Sequence, residues 1–228
     1  MGAPLILLPG MMCDARLFAP QTDALPAQVL PITSADTVQA LAAEVLAQAP
    51  ARFALAGLSM GGIVAMEVLR QAPGRVAGLA LLDTNPLAEA EAVKARRAPQ
   101  MEKAAAGQLH AVMRDEMKPN YLTDGPDRDA ILALCMEMAL SLGPDVFIRQ
   151  SLALRDRPDQ CDTLRAYFGP ALVLCGRDDR LCPVARHELM HDLLSNSVLE
   201  VIDGAGHLPT LEQPDRTTEA LRRWLQLT

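Results

Sequence analysis

What is scarce in this chain narrows the field first. Aromatic residues make up only 3% of it, although half of all residues are hydrophobic. No stretch of 18 or more apolar residues, about the length a membrane-crossing helix needs, is free of charge or proline. The sequence therefore predicts a soluble globular protein with no membrane partner. Basic charge is short as well: net charge is -7 and the sequence pI is near 5.1. No segment concentrates positive charge, which argues against nucleic acid as a partner. The five cysteines (Cys13, Cys135, Cys161, Cys175 and Cys182) are odd in number and contain no C-x-x-C pair. That pattern fits a reduced, cytoplasmic setting, with Cys175 as core filler in an apolar run. The opening "MGAPLILLPG" lacks a basic region and reads as a buried strand rather than a secretory signal. Ile6 stands where a myristoylation signal needs Ser or Thr.

A chain of 228 residues has room for one large domain with a buried core. Apolar runs with strand character lie at 4–10, 52–59, 76–83, 171–179 and 198–207, with a weaker one at 27–32. Short continuous runs suit a parallel sheet covered on both faces. Between them stand helical patterns. "SADTVQALAAEVLAQA" opens on Ser34 as a candidate N-cap, "MGGIVAMEVLRQAPG" is stopped by Pro73-Gly74, and the last carries Leu221, Trp224 and Leu225 on one face. Strand and helix alternate, so the class is α/β. Residues 86–165 break the rhythm, with helical patterns, all three lysines and no convincing strand. They read as a helical lid inserted into a core formed by 1–85 and 166–228.

Gly57-Leu58-Ser59-Met60-Gly61 is a G-x-S-x-G, a match that arises by chance in about one chain in twelve of this length. Its context is more specific: a strand pattern precedes it and a helix pattern follows, the setting of a nucleophile elbow. Such a turn projects the serine hydroxyl, glycines let strand and helix approach, and the Met60 N–H points where an oxyanion develops. A serine hydroxyl needs a base, and the base needs an orienting acid. Asp178-Asp179 follows one late strand pattern and His207 follows the next. In a parallel sheet all these groups fall along one edge, where open α/β folds place ligands.

The pieces "LLPGMMCDARLF", "LAGLSMGG", "LLDTNP", "VLCGRDDRLCP" and "GAGHLPTLEQP" resemble the α/β-hydrolases from end to end. The likeness is to small bacterial esterases and to pimeloyl-carrier-protein methyl ester esterases. It implies an α/β-hydrolase fold with a mostly parallel sheet of about six strands, because the usual N-terminal antiparallel pair has no room here. The family pattern G-x-x-D-x-x-x-P selects Asp179 over Asp178, giving Ser59, Asp179 and His207 as the catalytic set. Asp203 is left as a turn residue. The second oxyanion donor falls on the N–H of Met11, beside that of Met60. Pro9 stands where the family has histidine, with Gly10 as the flexible turn residue.

The resemblance implies hydrolysis of a small or medium carboxylic ester through an acyl-enzyme, without a cofactor, by a monomer or homodimer. Thioester hydrolysis, acyl transfer and C–C bond hydrolysis use the same residues. Two other classes compete: a non-catalytic binding protein, and a zinc peptidase. The second is raised by His187-Glu188-Leu189-Met190-His191, an H-E-x-x-H with Glu212 as a third-ligand candidate. In the inferred fold that stretch is an outer helix whose His and Glu are solvated, so no metal is expected. His110 reads as a surface or packing residue, and the 155–159 segment as an ion-pair staple. Met11 and Met60 suggest a soft apolar acyl pocket.

Overall fold

The apolar runs fold as six strands: β1 (Leu5–Leu8), β2 (Ala27–Val29), β3 (Phe53–Leu58), β4 (Val76–Leu82), β5 (Ala171–Gly176) and β6 (Ser197–Ile202). The computed structural model describes residues 2–228. The strands form one sheet in the order β2-β1-β3-β4-β5-β6. All five pairings are parallel. Every residue of β1, β3, β4 and β5 is buried, while the edge strands β2 and β6 are partly exposed. Continuous rather than alternating apolar character is what a two-sided parallel sheet requires.

Alternate residues of each strand feed two cores. Ile6, Leu8, Leu55, Leu79, Leu81 and Val173 face one side. There they pack on helices α1 (Val38–Gln48), α2 (Met60–Gln71) and, further along the chain, α5 (Val184–Leu193). Leu5, Leu7, Ala56, Leu82, Leu172 and Leu174 face the other. Their cover includes the C-terminal helix α6 (Pro214–Leu225), through Leu221 and Trp224. Leu225 is only partly buried. The cap of α1 is not Ser34. Thr37 holds that place, accepting from the Ala40 N–H, because α1 begins at Val38, the first residue of its apolar pattern, and not directly after Ser34.

Between β4 and β5 every described element is helical, chiefly α3 (Glu91–Lys103) and α4 (Arg128–Arg155), joined by irregular turns. By length and composition α4 is the one described helix apolar enough to cross a membrane, although charged residues and Pro144 interrupt it. Gly143, at φ 80° and ψ 176°, breaks its axis just before Pro144. Ile131, Cys135 and Met138 pack into one core, and Val146, Phe147 and Leu154 into the other. The chain leaves β1 toward β2 on one side and returns to β3 on the other. That reversal is a topological switch point, and it opens a crevice at the carboxyl ends of β1 and β3.

Candidate active site

Ser59 follows β3 directly and caps α2 with φ 54° and ψ -116°. A non-glycine residue there stores on the order of 1–3 kcal/mol of strain, so its surroundings must hold it. The Ser59 N–H donates to Leu82 O at 2.9 Å, and Thr84 Oγ1 donates to Ser59 O at 2.7 Å. Glycine is obligatory around it. A Cβ on Gly57 would collide with the Gly61 backbone, one on Gly61 with the Leu8 carbonyl, and one on Gly62 would lie 2.7 Å from Thr84.

The three distant residues meet. His207 Nε2 lies 2.9 Å from Ser59 Oγ, and His207 Nδ1 lies 2.8 Å from Asp179 Oδ2. Asp179 Oδ1 accepts from the N–H groups of Leu181 at 2.8 Å and Cys182 at 3.0 Å. Burial works against the Asp179 charge. His207 and these hydrogen bonds outweigh it, leaving the carboxyl below its ordinary range. An ionised Asp179 makes His207 Nδ1 the donor, so Nε2 is free to accept the Ser59 proton. Asp178 is exposed. Asp203 pairs with Arg177 away from the relay, as a turn residue does.

Met11 and Met60 line the same cavity as Ser59 and His207. Neither of their N–H groups has a partner among the described residues, whereas the next amide, Met12, donates to Gln150 Oε1 at 2.8 Å. Gly10 was expected as the flexible turn residue, but the residue of this loop at positive φ is Met12, at φ 57°. Gln150 anchors the turn instead, its own amide donating to Ile32 O at 3.0 Å. With Pro9 in place of histidine, the Met11 amide still lacks an internal partner on a residue that lines the cavity, and the turn is held from the insertion.

Of the H-E-x-x-H residues, Glu188 is exposed as expected and His191 is half-buried, but His187 departs from the solvated face. His187 is fully buried. Its Nε2 accepts from the Thr84 N–H at 3.1 Å, and its Nδ1 lies 3.4 Å from Pro183 O. Burial pushes its pKa down to about 4, so the ring is neutral with the proton on Nδ1. Both nitrogens are committed inside the fold, which leaves no lone pair for zinc. His191 Nδ1 meets Ser197 Oγ at 2.8 Å. Glu212, the third-ligand candidate, holds the histidine loop. It accepts from the N–H groups of Gly206 at 2.9 Å, Leu208 at 3.1 Å and Thr123 at 2.9 Å. His110 is exposed.

Among the described residues one group of potential metal ligands lies within 4.8 Å: Asp179, Cys182 and His207. Two of its atoms are already bonded to each other, and burial raises the Cys182 thiol well above its ordinary range. Asp83, which nothing in the sequence singled out, sits behind the relay, fully buried at φ 42°. Its Oδ1 accepts from the Gly176 N–H at 2.9 Å. Burial, and then the neighbouring Asp179 carboxylate, push its carboxyl well above the usual range and favour the protonated form.

The cavity above Ser59 has a volume of about 520 Å³. It is less apolar than Met11 and Met60 suggested: Arg96, Arg97, Arg157, Arg180 and Arg186 also line it. Arg157, read as part of a staple, does pair with Glu89 at 2.7 Å, but it does so at the cavity wall.

A parallel sheet with a strained serine at its crevice, bonded to a histidine that is bonded to an acid, defines the α/β-hydrolase class. The chain belongs to the Alpha/beta hydrolase family, which it matches over residues 6–220. It is 30% identical over 181 residues to the dihydrolipoyllysine-residue acetyltransferase component of the acetoin cleaving system of Pseudomonas putida, covering 75% of this chain and 45% of that protein. The chain spans less than half the length of three of the curated relatives it matches. It shares 27% identity over 206 residues with the pimeloyl-[acyl-carrier protein] methyl ester esterase of Methylococcus capsulatus, covering 83% of this chain and 76% of the other. A thermophilic esterase from Thermogutta terrifontis, solved with malate bound, is 30% identical. It superposes with a TM-score of 0.89 over 99% of this chain and 90% of its own.

Proposed function

We propose that this chain hydrolyses small or medium carboxylic esters through an acyl-enzyme on Ser59. The observation that carries the reading is the unbroken relay from Ser59 Oγ through His207 to Asp179, with contacts of 2.9 and 2.8 Å. The two unused amides of Met11 and Met60 on the same cavity support it. Ser59 Oγ attacks the ester carbonyl carbon while His207 Nε2 takes the hydroxyl proton, and Asp179 stabilises the resulting imidazolium. The Met11 and Met60 N–H groups donate to the tetrahedral oxyanion. The C–O bond to the alcohol then breaks, and the imidazolium returns its proton to the departing oxygen. Water, losing a proton to the same His207 nitrogen, attacks the acyl-Ser59 ester. Collapse releases the carboxylic acid and restores the serine hydroxyl. None of these steps calls on a cofactor or metal.

The identity to two named esterases supports ester hydrolysis over thioester hydrolysis, acyl transfer or C–C cleavage. The reading is tested by treating the protein with a fluorophosphonate and measuring its intact mass, with peptide mapping and a Ser59→Ala control. A single adduct on Ser59 that the variant lacks is expected. Folded protein that takes no label overturns the reading.

A further inference from the structure

Two guanidinium groups share one carboxylate in the wall of the cavity. Arg97 bonds Glu89 through Nε and, at 2.9 Å, through Nη2. Arg157 bonds it through Nη1 at 2.7 Å and gives its Nε to Leu87 O at 3.0 Å. All three side chains are at least nine-tenths buried. Two positive charges and one negative charge leave a single excess positive charge away from water. The strain of that arrangement is visible at Arg157. Burial lowers its pKa and Arg97 adds to the effect, while Glu89 is the main group opposing them.

The donors are not all used. Arg97 Nη1 meets only the Met11 sulfur, at 4.0 Å, and Arg157 Nη2 has no hydrogen bond among the described residues. Three more arginines, Arg96, Arg180 and Arg186, line the same cavity, and none forms an ion pair among the described residues. The acids on the wall are Glu89 and Glu116, and Glu116 is already bound by Lys103 and Gln100. A protein of net charge -7 has thus gathered five arginines around one cavity.

A buried excess charge is costly until a counter-ion reaches it, and the planar fork of a guanidinium matches a carboxylate best. The buried excess charge is one and calls for a monoanion, since Arg96, Arg180 and Arg186 are exposed to water. The Met11 contact places Arg97 beside a residue that lines the same cavity as Ser59 and has an unpartnered amide. We propose that Arg97 and Arg157 form a carboxylate-recognition site next to Ser59, so that the ester this protein takes carries a second, ionised carboxylate, as the half-esters of dicarboxylic acids do. The reaction rests on the ester-hydrolase reading above; the ligand chemistry rests on the arginine cluster alone.

Calorimetry on the Ser59→Ala variant separates the two. The probes are monomethyl glutarate and the same methyl ester ending in a neutral carboxamide. The expected result is a preference for the carboxylate of about tenfold or more, mirrored in the wild-type protein by a lower KM rather than a higher kcat. Folded Arg97→Gln and Arg157→Gln variants lose that preference, and Arg97→Lys regains part of it. Equal or weaker binding of the carboxylate overturns the proposal, whether or not either ester is hydrolysed. A carboxylate preference without turnover of either ester, and without a fluorophosphonate adduct, upholds the recognition site and removes the hydrolase reading instead.

Discussion

The cavity has a floor and a roof, and only the floor is set by backbone ladders between strands. The floor is made of strand ends. Gly10, Ser59, Thr84 and His207 each follow a parallel strand, and the ladders between neighbouring strands set their positions. The roof is residues 86–165, which packs its apolar faces into both cores through residues such as Met138 and Phe147 and is tied to the loops of the floor by polar contacts. Gln150 holds the Met12 amide, Gln160 reaches Glu67 at 2.8 Å, and Tyr121 O accepts from the His207 N–H at 2.7 Å. Its two left-handed glycines, Gly107 and Gly143, have open space around them. The groups of the proposed relay stand on the strand ends, and Arg97 and Arg157 of the proposed carboxylate site come from the insertion. A scaffold built this way can change substrate without rebuilding its chemistry.

The largest effects break the floor. Ser59→Ala lowers kcat/KM for any ester the protein takes by on the order of 10⁴-fold or more, read against the same ester with wild-type protein. Loss of less than tenfold would mean the relay is not the source of turnover. Gly61→Ala drives a Cβ into the Leu8 carbonyl, which no side-chain rotation relieves. It costs about 3 kcal/mol or more, whereas Gly107→Ala in the roof meets no atom and costs about 1 kcal/mol of left-handed strain. Thermal unfolding of the two variants side by side measures the contrast. Equal losses would dissolve the distinction between floor and roof.

The same contrast explains what could be read from the sequence. The floor was legible because each piece is local: a buried run ends, and a glycine, serine, aspartate or histidine follows within a few residues. The arginine cluster was not, because Glu89, Arg97 and Arg157 meet only after the insertion folds. A signal for Arg97 was present in the spacing of Val93, Arg97, Met101 and Ala104, a stripe at helical period that faces inward. His187, Met190 and Leu194 form a similar buried stripe, which an H-E-x-x-H reading obscured. Glu212 gave no local cue, since its partners Thr123, Gly206 and Leu208 come from two separate loops.

His187 tests how far the floor's rigidity depends on a buried hydrogen bond. Its folded pKa of about 4 lies below the ordinary value of 6.5, so the unfolded chain binds the extra proton first. The stability contributed by the neutral ring is whole above about pH 6.5 and is lost as pH falls toward 4. The full loss is about 3 kcal/mol. His187→Gln keeps an acceptor for the Thr84 N–H and removes the titration. Denaturant unfolding from pH 4 to 7 therefore shows a flatter profile for the variant. An identical slope in both proteins would mean that His187 does not stay neutral in the fold.

The smallest effect comes from Asp83, behind the relay. Its folded pKa is raised, so its contribution is whole below the ordinary aspartate value and is lost as pH rises through the folded one. That slope is opposite to the one from His187, and each is isolated only as the difference between a variant and the wild type. Asp83→Asn imitates the protonated carboxyl. Its oxygen still accepts from the Gly176 N–H, and asparagine tolerates the positive φ better than most residues. The variant is expected to fold with stability within about 1 kcal/mol of the wild type near the ordinary aspartate pKa, and to gain on it as pH rises. Turnover is retained, because Asp179 alone holds the imidazole. If Asp83→Asn instead abolished turnover in a folded protein, a negative charge at Asp83 would belong to the reaction, and the acid of the relay would be a pair rather than a single carboxylate.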